Sequence, residues 1–161
     1  MKNNSSTKKI AHDLKEIYSK SKLYTYHRIF RKMNNGEDDS LTALEVLCLD
    51  LLQGMGSPTQ TEFADYINVS KPNATYKLNT LEKKGYIVKI PSDEDRRIFH
   101  IQVTDKTRNL LNTGNRYIDV ITRRMQRNFS DQELEIYEKI MSKIADEYMV
   151  EMDRYLKTQG S

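Results

Sequence analysis

Residues 59–104 read TQTEFADYINVSKPNATYKLNTLEKKGYIVKIPSDEDRRIFHIQVT, and this stretch decides the fold. Thr59 followed three residues later by Glu62 is a capping box, so a short helix starts at about residue 59 and runs to Ile67. Asn68-Val69-Ser70 makes a turn in which Asn68 takes a left-handed position, Asn being the next choice after Gly. Ala64 stands where two helices must touch, with Phe63, Ile67 and Val69 supplying apolar groups around it. Residues 71–84 form a second helix that carries Ala74, Leu78 and Leu81 on one face. Strands over 86–90 and 98–103 follow, joined by Pro91-Ser92-Asp93-Glu94-Asp95-Arg96-Arg97. Phe99, Ile101 and Val103 alternate with His100, Gln102 and Thr104, the period of a half-buried strand. A helix-turn-helix beside a basic hairpin is suited to two adjacent grooves of duplex DNA.

At about 100° per residue, the side of the second helix opposite its apolar stripe carries Pro72, Tyr76, Asn79, Thr80 and Lys83, flanked by Asn73 and Thr75. Amides, hydroxyls and a phenol pair with base edges or phosphates, and Lys83 suits a phosphate. Ser70 is placed to cap this helix, with Pro72 tolerated in the first turn. The amides of that turn and the positive end of the helix dipole favour a backbone phosphate near Ser70 and Lys71. Arg96 and Arg97 fall at the hairpin's exposed turn, where packing needs no arginine. An arginine there can enter the narrow, electronegative minor groove, or pair internally with Asp93, Glu94 or Asp95. The candidate DNA contacts are therefore Ser70, Lys71, Asn73, Thr75, Tyr76, Asn79, Thr80, Lys83, Arg96 and Arg97.

Charge is distributed in blocks. The 161 residues carry a net +3, but residues 1–35 hold nine Lys/Arg against two Asp/Glu, and residues 36–70 hold seven acids and no Lys or Arg. Residues 71–97 hold seven bases and four acids, so the second helix and its hairpin are locally basic, as a phosphate-facing surface must be. No apolar run approaches the ~18 residues that cross a membrane. Met1-Lys2-Asn3-Asn4-Ser5-Ser6 lacks the apolar stretch of a signal peptide. One cysteine, Cys48, allows no disulfide within the chain. A cytoplasmic protein with no membrane partner is expected.

Two further capping boxes, Thr42/Glu45 and Ser130/Glu133, mark helix starts at about 42 and 130. Leu41 with Val46 and Phe129 with Leu134 add hydrophobic staples to them. The helix over 42–53 is apolar on much of its surface (Leu44, Leu47, Cys48, Leu51, Leu52) and reads as a central buried element. An initial helix over 8–33 places Ile10, Leu14, Ile17 and Tyr24 on one stripe and ends at Asn34-Asn35-Gly36. A long helix over 105–128 precedes a final one over 131–157, whose Leu134, Tyr137, Met141, Ile144, Tyr148, Met152 and Tyr155 are spaced by threes and fours. Helices this long and striped throughout need a partner surface beyond the small central module. The expected fold is mainly α with a small β-hairpin wing: a winged helix-turn-helix flanked by long dimerisation helices. Its divisions are an N-terminal dimerisation helix over 1–35, a DNA-binding domain over 40–104, and C-terminal dimerisation helices over 105–161.

Leu41-Thr42-Ala43-Leu44-Glu45, Thr59-Gln60-Thr61-Glu62-Phe63-Ala64, Leu81-Glu82-Lys83-Lys84-Gly85-Tyr86-Ile87 and Asp95-Arg96-Arg97 through Val103-Thr104 together resemble the MarR family of bacterial winged-helix regulators. The resemblance is strong over about 41–106. It implies a homodimer on a palindromic double-stranded operator, with dimerisation helices from both chain ends and often a small effector between the dimerisation and DNA-binding regions. It maps the family's wing arginine onto Arg97 and makes Asp95 its organising partner. The chain departs from the pattern at Lys77, where an apolar residue is usual, at Tyr76, where a basic one is common, and at Asn68, where Gly is usual.

Tyr18, Tyr24, Tyr26, His27, Phe30 and Arg31 gather aromatic and basic groups near the end of the first helix, which by the resemblance borders the family's ligand cleft. Tyr24, His27 and Arg31, over a floor of Leu47 and Leu51, would suit a small aromatic or carboxylated effector; helix packing at the dimer interface explains the same residues. Cys48 lies on an apolar helix face with Asp50 its nearest charge, so its thiol should have a raised pKa and low reactivity. His12, His27 and His100 have no partners at metal-ligand spacing. The chain has no glycine-rich phosphate loop and no nucleophile elbow, so neither an enzyme nor a cofactor is expected. The sequence reads as a sequence-specific, homodimeric transcriptional repressor released by a small organic ligand. A regulator without an effector and a winged-helix protein-interaction adaptor remain the alternatives.

Overall fold

Thr42, Thr59 and Ser130 each accept a hydrogen bond from the backbone N–H of the glutamate three residues on, and each glutamate reaches back to the cap's own N–H. These closed capping boxes start three helices of the computed structural model, which describes residues 4–33 and 41–152. In order, the elements are α1 (Asn4–Lys32), α2 (Ala43–Gly54), α3 (Gln60–Tyr66), α4 (Lys71–Lys83), β1 (Ile87–Pro91), β2 (Phe99–Val103), α5 (Asp105–Asn128) and α6 (Asp131–Lys143). A π-helical turn over Ile144–Tyr148 and a 3-10 turn over Val150–Met152 complete the described chain. The expected mainly α architecture with a β-hairpin wing is observed.

Both turns of the helix-turn-helix unit close by the same device. After α3, Asn68 adopts φ 52°. Its N–H bonds the Asp65 carbonyl at 3.2 Å, and the Val69 N–H bonds that of Ala64 at 3.1 Å. After α4, Gly85 sits at φ 76°, with its own N–H on Glu82 and that of Tyr86 on Leu81. This is the paired closure of a Schellman motif, which needs a left-handed residue just past the helix. Tyr86 then buries its ring, and its carbonyl accepts from Thr107 Oγ1 at 2.5 Å and from the Thr104 backbone at 3.0 Å, which fixes the start of α5 to the root of the wing.

One core joins these parts. Val46, Leu49 and Leu52 of α2, Phe63 and Ala64 of α3, and Ala74, Leu78 and Leu81 of α4 pack with Tyr86, Ile87, Ile101, Leu110 and Ile29. Ile67 and Val69 are half-buried against it. β1 and β2 pair antiparallel from Ile87↔Val103 to Pro91↔Phe99. A single-residue bridge joins Thr59 to His100, with the Ile101 N–H on the Pro58 carbonyl at 2.8 Å. The segment between α2 and α3 is thus stitched to the wing.

Several expectations need correction. The first helix starts at Asn4, not at residue 8, because nothing in residues 4–8 breaks a helix. Leu44 and Leu47 face outward while Leu49 is buried, so α2 is covered on one side only. Phe99 is exposed although Ile101 and Val103 are buried, because it pairs with Pro91 at the far end of the hairpin, away from the helices. The final α-helix stops at Lys143 and widens into the π-helical turn. Asp146, Glu147 and Glu151 crowd acids at that end, where the helix dipole disfavours negative charge. The stop at Asn34-Asn35-Gly36 and the last stripe residue, Tyr155, lie outside the described residues.

α1 packs along α5, and Gly114 marks the crossing: Thr25 Oγ1 donates to its carbonyl at 3.3 Å. α6 buries none of its residues. Ile136, Tyr137, Ile140 and Met141 stay exposed on it, as do Ile10, Leu14 and Ile17 on α1 and Ile118 and Ile121 on α5. No helix among the described residues is long and apolar enough to cross a membrane.

Candidate nucleic-acid interface

The two faces of α4 differ as its periodicity requires. Ala74, Leu78 and Leu81 are fully buried, while Tyr76 on the opposite side is 73% exposed. Lys71, Pro72, Asn73, Asn79 and Lys83 are exposed with it. Ser70 occupies the N-cap position with extended backbone, but its hydroxyl makes no capping hydrogen bond. Pro72 removes one of the two N–H groups such a cap can serve, and the expected side-chain cap is absent.

Two hydroxyls are engaged within the fold. Thr75 Oγ1 donates to the Lys71 carbonyl at 2.7 Å and accepts from Gln60 Nε2 at 2.6 Å, which ties α3 to α4. Thr80 Oγ1 donates to the Tyr76 carbonyl at 2.9 Å. Each keeps acceptor capacity but has no hydroxyl proton left for DNA.

The basic character of this region is also redistributed. Lys84 pairs with Glu45 of α2 at 2.5 Å, both side chains largely buried, and Lys89 of β1 pairs with Glu82 of α4 at 2.8 Å. Lys77 is half-buried. The cations facing outward are therefore Lys71 and Lys83 on α4 and Arg96 and Arg97 on the wing, a smaller set than the local count implies.

The wing tip is built by Asp95. Its Oδ1 accepts from the Arg97 backbone N–H at 2.9 Å and from Nε at 3.1 Å, and Oδ2 accepts from Nη2 at 3.0 Å. These Arg97 bonds hold the Asp95 carboxyl below its usual pKa. The Arg97 side chain remains 89% exposed, so the pair orients the guanidinium without burying it.

Of the five proposed effector residues, Tyr24 alone lines the cleft between α1 and α5. Tyr24 meets Tyr117 edge to face at 5.4 Å. It shares this cleft of about 420 Å³ with Ile17, Lys20, Val120, Ile121 and Arg124. His27, Arg31, Leu47 and Leu51 are not part of this cleft; the first three are exposed and Leu51 is half-buried. Cys48 is buried, and burial pushes its thiol pKa up. Among the described residues, no group of His, Cys, Asp or Glu is arranged to hold a metal ion. Sequence reading missed Gln60 and Lys89, because neither lies on a recognisable stripe and both act through partners on other elements.

Fold and surface together define a winged helix-turn-helix protein. Residues 41–99 match the sequence model of the MarR family, and the winged-helix unit of this chain is a MarR-family domain. The chain is similar to the uncharacterized HTH-type transcriptional regulator YpoP of Bacillus subtilis, 34% identical over 80 residues that make up 50% of this chain and 57% of that protein. It thus spans little more than half the length of that relative. In fold it is similar to a MarR family protein from Bacillus stearothermophilus, with TM-score 0.59 and 16% identity over 92% of this chain and 99% of the other. It is also similar to FabT of Streptococcus pneumoniae, solved in complex with DNA, with TM-score 0.57 and 19% identity over 91% and 99% of the two chains.

Proposed function

We propose that this protein is a cytoplasmic, homodimeric transcriptional regulator that binds a palindromic double-stranded operator and represses until a small organic ligand releases it. The observation that carries the reading is the two-sidedness of α4: its apolar stripe is buried while a row of phenol, amide and ammonium groups faces outward beside an exposed arginine. α4 would lie in the major groove, with Tyr76 and Asn79 at base edges and Lys71, Asn73 and Lys83 at or near phosphates. The wing would bring Arg97 to the neighbouring minor groove. FabT, similar in fold, was solved with DNA, which supports the same use here.

Dimerisation is supported by the many large apolar side chains left exposed on α1, α5 and α6, since such surface on a water-soluble fold marks an interaction site. In this reading 1–35 and 105–161 are the dimerisation segments and 40–104 the DNA-binding domain. The aromatic cleft at Tyr24 and Tyr117 is the better candidate for an effector than a floor of Leu47 and Leu51. Titration of the protein against its own upstream DNA at several salt concentrations tests the core of the proposal. Binding should weaken steeply as salt rises, with preference over random duplex. A protein that binds no duplex at low salt is an interaction adaptor instead.

A further inference from the structure

Lys89, at the middle of β1, sends its ammonium across to the outward face of α4. Nζ lies 2.8 Å from Glu82 Oε2 and also donates to Asn79 Oδ1. The lysine side chain is only 18% exposed and Glu82 is 41% exposed, whereas Asn79 stands on the exposed face. An ammonium has three donors and no acceptor, so the end of the Asn79 amide that it holds must be the carbonyl oxygen. The amide is planar, and a carbonyl turned toward β1 turns its NH2 away from β1.

We propose that Lys89 is a positioning residue for base recognition, holding the Asn79 amide so that the side chain meets DNA as a hydrogen-bond donor. The inference rests on reading α4 as the DNA-reading helix. In the major groove guanine offers the acceptors N7 and O6 and thymine offers O4, whereas cytosine offers only its N4 donor. An asparagine free to rotate by half a turn about its last torsion can meet either kind of edge, because the rotation exchanges oxygen and nitrogen. With its oxygen held by Lys89, Asn79 sets two donors against each other at cytosine, so that base is rejected. Glu82 keeps the ammonium beside the helix and offsets its charge, so Lys89 adds little to general phosphate attraction. Its effect therefore falls on base choice, not on overall affinity.

The test is base selection from a randomised pool of duplexes by the full chain. Asn79→Ala locates the position it reads, as the one whose preference relaxes. At that position the unmodified protein should disfavour cytosine by about fivefold or more. Lys89→Met keeps the buried aliphatic stem and removes the donor. It should bring cytosine within about twofold of the preferred base while binding to random duplex stays within about twofold. Lys89→Arg, still a pure donor, should restore the exclusion. K89M/E82Q removes both charges of the pair and should behave as K89M does, which carries the test if the single variant leaves Glu82 unpaired and folds poorly. Continued exclusion of cytosine by K89M overturns the proposal, as does equal weakening on every sequence, which would make Lys89 a phosphate contact. If Asn79→Ala relaxes no position, α4 as the reading helix falls along with it.

Discussion

At the scale of single residues, Asn68 and Arg97 show opposite uses of local geometry. Asn68 is the non-glycine residue with left-handed backbone among those described, and the turn between α3 and α4 depends on it. Asn68→Gly should leave stability equal or slightly raised, whereas Asn68→Val should cost about 1–2 kcal/mol, because a β-branched side chain opposes that conformation. Urea unfolding of both variants checks this, and a neutral valine would mean the turn can re-form without a left-handed residue. Arg97 is held by Asp95 yet exposed, so its removal should not touch the core. Arg97→Ala should weaken operator binding by roughly 1–3 kcal/mol with an unchanged melting temperature. Unaltered affinity in a gel-shift titration at fixed salt would take the wing out of the mechanism.

At the scale of elements, two contacts set how helices sit against one another. Glu45 caps α2 through Oε2, which accepts from the Thr42 N–H at 2.7 Å, and holds α4 through Oε1, which accepts from Lys84. Burial pushes the Glu45 carboxyl up, but its bonds to Lys84 and Thr42 outweigh that and leave its pKa below the usual value. A depressed folded-state pKa contributes stability that is complete above the unfolded value and is lost as pH falls through the folded one. Acid should therefore loosen the α2–α4 tie, and Glu45→Gln should flatten that part of the stability profile between neutral and acid pH. A Glu45→Gln profile parallel to that of the unmodified protein would mean the bond contributes nothing. The second contact is the α1–α5 crossing, where a Cβ on Gly114 would fall 2.5 Å from Thr25 Cγ2 and 3.2 Å from Thr25 Cα. One of these atoms is backbone, so a rotamer change of Thr25 relieves only the closer contact. Gly114→Ala should cost about 1–3 kcal/mol by overpacking, and Thr25→Ala in the same chain should recover part of it. A neutral Gly114→Ala melt would show that the helices can separate freely.

At the scale of the whole molecule, the winged helix has a shared core but the outer helices do not complete one. α5 and α6 carry Ile118, Ile121, Ile136, Tyr137, Ile140 and Met141 exposed, and α1 adds Ile10, Leu14 and Ile17. A second copy that covers these stripes would also hold two α4 helices at the spacing of successive major-groove half-sites, about 34 Å. Truncation before Asp131 should yield monomer or aggregate, because it deletes Ile136, Tyr137, Ile140 and Met141 from the surface a partner would cover. Sedimentation of the truncated chain measures this directly. A well-folded dimer of the truncated chain would place the partner surface elsewhere.

What the sequence determined by itself is whatever depends on neighbours a few positions apart. The three capping boxes, the left-handed turn at Asn68, the apolar stripe of α4 and the hairpin are all of this kind, and the Asp95–Arg97 pairing, which the residues left open among three acids, was singled out by the family resemblance. The caps, the Asn68 turn and the Asp95–Arg97 bonds span at most a helical turn, while the α4 stripe and the hairpin follow from the 3.6- and 2-residue periods of their apolar positions, so residue type and spacing specify them. Only the tertiary structure decided which polar groups remain for a partner. Gln60 locks Thr75 across 15 positions, Glu45 withdraws Lys84 across 39, and Thr25 meets Gly114 across 89. The same holds for Lys89 on Asn79, Thr59 against His100, and the cleft of Tyr24 and Tyr117. No period or motif records such pairs, because which side chains meet across elements follows from how the elements pack once their apolar faces are buried.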